Sequence, residues 1–83
     1  MPVATKDVFV GIDVSKDWFD VAVRPTGMAW RAAHDEAGIA ALVQRLQGLQ
    51  PRLVVLEATG GYEIPLVVAL GTASIPVAVV NPR

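Results

Sequence analysis

The sequence predicts an α/β domain built on a five-stranded mixed sheet ordered 3-2-1-4-5, with its elements in the order β-β-β-α-β-α-β. Three observations predict it. Short apolar runs at Val8–Val14, Trp18–Arg24 and Met28–Ala33 follow one another across tight polar turns, as in an antiparallel meander. Helix-period and strand-period runs then alternate to the end of the chain, as in parallel crossover units. Finally, 83 residues with 53% hydrophobic content fit one small domain, neither a disordered tail nor a pair of domains.

Val8–Val14 is apolar on both faces, as a central strand should be. Val14-Ser15-Lys16-Asp17 forms a turn into the second strand, Trp18–Arg24. Pro25-Thr26-Gly27 is a turn signal before the third strand, Met28–Ala33. Asp35 can cap a helix, and Asp35 and Glu36 suit the dipole of its first turn. Ile39, Leu42, Val43, Leu46 and Leu49 recur at helical spacing, opposite Gln44, Arg45 and Gln47, until Gln50-Pro51 ends the helix. Arg52–Glu57 is the fourth strand, and Gly60-Gly61 the turn after it. A second helix runs from Tyr62 to about Ala73, with Pro65 tolerable only in its first turn. Pro76–Val80 is the fifth strand. This is the element order of a ribonuclease-H-like sheet, expected to be truncated after the fifth strand.

Handedness adds a prediction about layers. Both crossovers move the same way across the sheet, so right-handed connections place both helices on one face. Side-chain alternation separates Phe9, Gly11 and Asp13 from Val8, Val10 and Ile12, and Leu53, Val55 and Glu57 from Val54 and Leu56. If the acids mark the uncovered face, Phe9, Leu53 and Val55 lie bare beside them. Asp20 belongs to the same face, because Phe19, Val21 and Val23 make the better buried set.

Composition narrows the function classes. There are no cysteines, which excludes a disulfide scaffold and a thiolate metal site and is compatible with a reducing cytoplasm. Seven basic against eight acidic residues give a net charge of -1, so no basic face attracts nucleic acid. Ile64–Val80 is uncharged, yet Pro65, Gly71 and Pro76 interrupt it and it is short of the ~20 residues a membrane span needs. The amino terminus lacks the apolar core of a signal peptide.

The chemistry-bearing pattern is a pair of acids, Asp13 and Glu57, each at the carboxyl end of an apolar strand. A carboxylate at the end of a buried strand is costly unless it binds something. Adjacent parallel strands would bring the two together as ligands for Mg²⁺ or Mn²⁺, which points to phosphoryl or phosphodiester chemistry. Asp20 reads better as a solvent-facing strand acid than as a third ligand. The amides of Thr59, Gly60 and Gly61 precede a helix and suit a phosphate, although a left-handed turn explains them as well. Ser15 and Lys16 are weaker candidates for a phosphate or nucleic-acid contact, since a hairpin turn is polar in any case. His34 reads as a boundary residue, not a general base. Trp18 and Trp30 read as packing or interface anchors.

Gly11-Ile12-Asp13-Val14-Ser15-Lys16, Leu56-Glu57-Ala58-Thr59-Gly60-Gly61-Tyr62-Glu63 and Pro76-Val77-Ala78-Val79-Val80-Asn81-Pro82-Arg83, in this order, resemble the DEDD transposases of the IS110 type. The resemblance covers nearly the whole chain and implies the amino-terminal RuvC-like domain of such an enzyme. It implies that Asp13 and Glu57 are the first two of four acids binding divalent metal, with the other two beyond Asn81-Pro82-Arg83. It also implies a cytoplasmic protein acting on DNA, with a guide RNA as a further partner, as a homo-oligomer. Two of four acids predict weak metal binding and no activity for the 83 residues alone, with a dimer the favoured assembly. Two other readings are a piece of an actin-like or sugar-kinase ATPase, and a non-catalytic assembly module. The first wants Gly and Thr in the hairpin, where this chain has Val14-Ser15-Lys16.

Overall fold

A computed structural model describes residues 7–81. Strand β1 (Phe9–Val14) pairs antiparallel with β2 (Trp18–Arg24) from Phe9↔Arg24 to Val14↔Phe19, and β2 pairs antiparallel with β3 (Ala29–Ala33). Helix α1 (Glu36–Leu49) crosses to β4 (Leu53–Glu57), which lies parallel to β1. Helix α2 (Ile64–Thr72) crosses to β5 (Val77–Val80), parallel to β4. The order across the sheet is β3-β2-β1-β4-β5, as the sequence predicts.

Local chemistry explains the helix ends. Asp35 caps α1 by accepting a hydrogen bond from the Gly38 amide at 2.7 Å. At the other end Gln50 turns left-handed at φ 51°, and its N–H bonds the Leu46 and Gln47 carbonyls. Helix α2 starts at Ile64, not at the expected Tyr62. Gly60 and Gly61 hold φ of 59° and 98°, so the chain coils through a tight turn in which the Tyr62 amide bonds the Thr59 carbonyl. Strand β2 starts where expected, and β1, β3, β4 and β5 each start one residue later, at the points where ladder partners begin.

The core lies on one side of the sheet. Val10, Ile12 and Val14 of β1, Phe19, Val21 and Val23 of β2, and Val54 and Leu56 of β4 are buried against Leu42 and Leu46 of α1 and Leu66 and Leu70 of α2. Removing the side chain of any one of these leucines would cost about 2–5 kcal/mol. The opposite face has no helix among the described residues. There Phe9, Gly11, Asp13, Asp20, Ala22 and Arg24 are exposed, and Leu53 and Val55 are half-buried. Among the described residues no helix is long and apolar enough to cross a membrane.

Candidate metal centre on the uncovered sheet face

Registration of the strands lines up the charged residues in a row across the uncovered face. Asp20 is the cross-strand partner of Asp13 on one side and of Arg31 on the other. The β1–β4 ladder runs to Ile12↔Leu56, so Asp13 and Glu57 follow at the same end of adjacent parallel strands, with strand axes about 4.8 Å apart. The row reads Arg31, Asp20, Asp13, Glu57.

Like charges directly opposite one another destabilise a sheet, and the Asp13–Asp20 pair is such a case. Arg31 relieves it: its Nε donates to Asp20 Oδ1 at 2.8 Å and its Nη2 to Oδ2 at 3.4 Å. The Asp20 carboxylate in turn raises the Arg31 pKa through that hydrogen bond and its charge. The guanidinium also lies over the exposed Trp18 ring, 5.3 Å from its centroid. Asp20 is therefore committed to Arg31, in keeping with its reading as a strand acid. Asp13 and Glu57 have no hydrogen-bond or salt-bridge partner for their carboxylates among the described residues.

The burial penalty expected for the two acids is absent. Asp13 and Glu57 end buried strands, but their side chains are exposed on the uncovered face, so water solvates them without a desolvation cost. What singles them out is their pairing, not a burial penalty. Among the described residues no three His, Cys, Asp or Glu side chains gather closely enough to hold a metal ion. The chain supplies two carboxylates. Two hard oxygen donors fit Mg²⁺, which commonly takes one or two carboxylates and keeps waters in its other positions.

Behind the charged row lies a shallow groove of about 850 Å³ that includes Asp13, Asp20 and Glu57 in its lining. A second cross-strand row runs beside the charged one, Ala29–Ala22–Gly11–Val55–Ala78, and its first four residues line the groove. Gly11, at the centre, has nothing within 4 Å of where a Cβ would stand.

The loop after Glu57 is closed on itself. The Thr59 hydroxyl donates to the Glu57 carbonyl at 3.0 Å. The Thr59 and Gly61 amides both donate to Glu63 Oε1, at 2.8 and 3.1 Å, which holds the Glu63 carboxyl below its usual pKa. A phosphate at these amides would have to displace Glu63. In the β1–β2 turn, Ser15 spends its hydroxyl and its amide on the Trp18 carbonyl, both at 3.0 Å, and Lys16 sits exposed at the tip.

A family model described as transposase, of the DEDD IS110 type, matches residues 10–83. The chain belongs to the IS110-type DEDD transposase family. No curated protein matches it. Among solved structures, RuvC of Thermus thermophilus superposes with a TM-score of 0.60 at 18% sequence identity, over 90% of this chain and 62% of that one. At that identity the likeness concerns the fold, which is RuvC-like, and this chain spans under two thirds of the length of that neighbour.

The contacts of three residues near the acids escaped the sequence reading. Arg31 could have been found, because the Pro25-Thr26-Gly27 turn sets a hairpin register in which Asp20 and Arg31 face each other. Glu63 carries a weaker signal, an acid four residues after Thr59 across two glycines. His34 carries none in its local sequence. It is half-buried between the turn after Asp13 and the loop after Glu57.

Proposed function

We propose that this chain is the amino-terminal part of a metal-dependent DNA transposase or recombinase, in which Asp13 and Glu57 are two of the metal-binding carboxylates. The observation that carries the reading is that two carboxylates without partners among the described residues stand side by side at the carboxyl ends of adjacent parallel strands, in a transposase family member. A bound Mg²⁺ or Mn²⁺ would supply a nucleophile activated at neutral pH and charge stabilisation at a phosphoryl oxygen. Asp13 and Glu57 would hold the ion and orient it toward the groove. Arg31 neutralises Asp20, so the row presents two free negative charges instead of three. The groove floor of small side chains lets a nucleic-acid strand or another protein layer approach the sheet closely.

Octahedral Mg²⁺ takes six oxygens, and two carboxylates fill only part of that set. We expect the 83-residue chain to bind the ion loosely and to leave plasmid DNA uncut, because groups that act as a unit fail together. The apolar part of the uncovered face favours a homo-oligomer, with a two-fold dimer the simplest form. The ATPase reading loses support at the hairpin, where the Ser15 amide already bonds the Trp18 carbonyl and is not free for a phosphate.

The test is a Mn²⁺ titration followed by NMR. Amide signals around Asp13 and Glu57 should broaden first, and Asp13→Asn should abolish that pattern. Broadening centred elsewhere, or unchanged by Asp13→Asn, would remove the metal assignment.

A further inference from the structure

We propose that His34 is a positioning residue that sets the spacing between the strand ends bearing Asp13 and Glu57; the inference rests on reading that pair as a metal site. The β1–β4 ladder pairs residues only as far as Ile12↔Leu56. Beyond it no ladder pair ties Asp13 directly to Glu57; each pairs instead with its outer neighbour, Asp13 with Asp20 and Glu57 with Val80, so their separation depends in part on what holds the two following segments. His34 touches both.

Toward the first segment, the His34 Nδ1 lies 2.8 Å from the Ser15 carbonyl oxygen, two residues after Asp13. A carbonyl can only accept, so Nδ1 carries the hydrogen, and in the neutral ring Nε2 keeps a lone pair. The His34 amide donates to the Asp17 carbonyl at 2.9 Å. The turn after Asp13 is thus bonded at two carbonyls by one residue. The imidazole also stacks on buried Phe19, with centroids 4.4 Å apart and planes tilted by 31°. Toward the second segment, the ring meets Tyr62 edge-on, with centroids 6.3 Å apart at 83°. This is a favourable arrangement for two rings. Tyr62 is tied back to Glu57 through Thr59: its amide bonds the Thr59 carbonyl at 3.0 Å, and the Thr59 hydroxyl bonds the Glu57 carbonyl at 3.0 Å.

The bridge has a firm base. His34 stands between β3 and α1, directly before the helix cap Asp35. Its backbone position is set by the sheet on one side and the capped helix on the other, with one further backbone bond to the β1–β2 turn at Asp17. A metal site needs its ligands held to well under an ångström by such a supporting shell.

The experiment uses three variants. His34→Asn keeps an N–H donor near the Nδ1 position and loses the ring. His34→Phe keeps the ring and loses the donor, and His34→Ala loses both. The Mn²⁺ dissociation constant is read from paramagnetic broadening, and metal-free amide shifts and the melting temperature are recorded beside it. His34→Ala should weaken Mn²⁺ binding by about 10-fold, the lower end of the range for partners that orient metal ligands. The two partial variants should fall between it and the parent chain. Without metal, the amide signals of Ser15 and Tyr62 should both move in His34→Ala. An unchanged Mn²⁺ affinity in His34→Ala, whatever its melting temperature, overturns the inference while leaving the metal reading intact. Mn²⁺ binding that survives Asp13→Asn overturns the metal reading and this inference together. If His34→Ala does not fold, the Asn and Phe variants decide, and equal affinity to the parent in both overturns it.

Discussion

Filling the centre of the groove with Gly11→Val should stabilise the isolated chain. Gly11 is the middle residue of the Ala29–Ala22–Gly11–Val55–Ala78 row, on the uncovered face, and its φ is not among those in the left-handed region. A Cβ there meets nothing within 4 Å, so no clash opposes the new side chain. Glycine inside a strand costs about 0.5–1 kcal/mol relative to alanine, through the entropy of the unfolded chain. A β-branched residue adds a further fraction of the ~1 kcal/mol span of strand preference. Contact with Val55 and Ala22 across the strands contributes about 0.2–1 kcal/mol more. These terms overlap, and a net gain of about 1 kcal/mol is the reasonable sum. For a domain of this size that raises the melting temperature by roughly 4–8 °C. Thermal unfolding followed by circular dichroism, at dilutions where the chain is monomeric, measures it directly. A fall in melting temperature would refute the reasoning, because it would mean that something packs closely over Gly11 in the folded monomer. A gain at low concentration that vanishes at high concentration would instead show a second copy seated on the groove.

Two further outcomes follow from the same face and the loop beside it. Val55→Asp should convert any dimer seen by sedimentation into monomer while far-ultraviolet dichroism keeps its helical signal; a parent chain that is monomeric at high concentration would show that this apolar face does not drive association. Glu63→Gln should flatten the acid limb of stability. The Glu63 carboxyl is held below its usual pKa chiefly by the Thr59 amide, so its contribution is present above the ordinary glutamate range and is lost as pH falls through the lowered value. Chemical denaturation at a series of acidic pH values checks this, and an identical pH profile in Glu63→Gln would discount the loop contact.

What could be read in advance and what could not divides along a physical line. Strand order and face assignment were legible because both follow from short-range periodicity plus a chirality rule. Val10, Ile12, Val21, Val23, Val54 and Leu56 fall on alternate positions, and right-handed crossovers then decide which side the helices cover. Partnerships that depend on register were legible only in principle. Asp20 and Arg31 are eleven residues apart, and pairing them requires knowing where the hairpin closes, which the Val23 amide bond to the Met28 carbonyl does. The contacts of His34 were not legible at all, because they arise where the β1–β2 turn, the β3–α1 junction and the β4–α2 loop converge, and no local pattern encodes that meeting.

The acids themselves take part in specifying the fold that displays them. Because strand side chains alternate with a period of two, a one-residue slip of β1, β2 or β4 would turn Asp13, Asp20 or Glu57 under the helices. Each such carboxylate would then be buried without a partner, at a cost of several kcal/mol. Val10, Ile12 and Val14 would be exposed in exchange for Phe9, Gly11 and Asp13, a loss of buried apolar area in the same direction. Both terms select the observed register. A residue row that reads as a metal site is therefore also a register lock, and Asp13→Asn alone tests function with little disturbance of the fold, since the asparagine stays on the solvated face. Replacing Asp13 by an apolar residue would remove part of that lock as well, which is why the conservative amide is the better probe of metal binding.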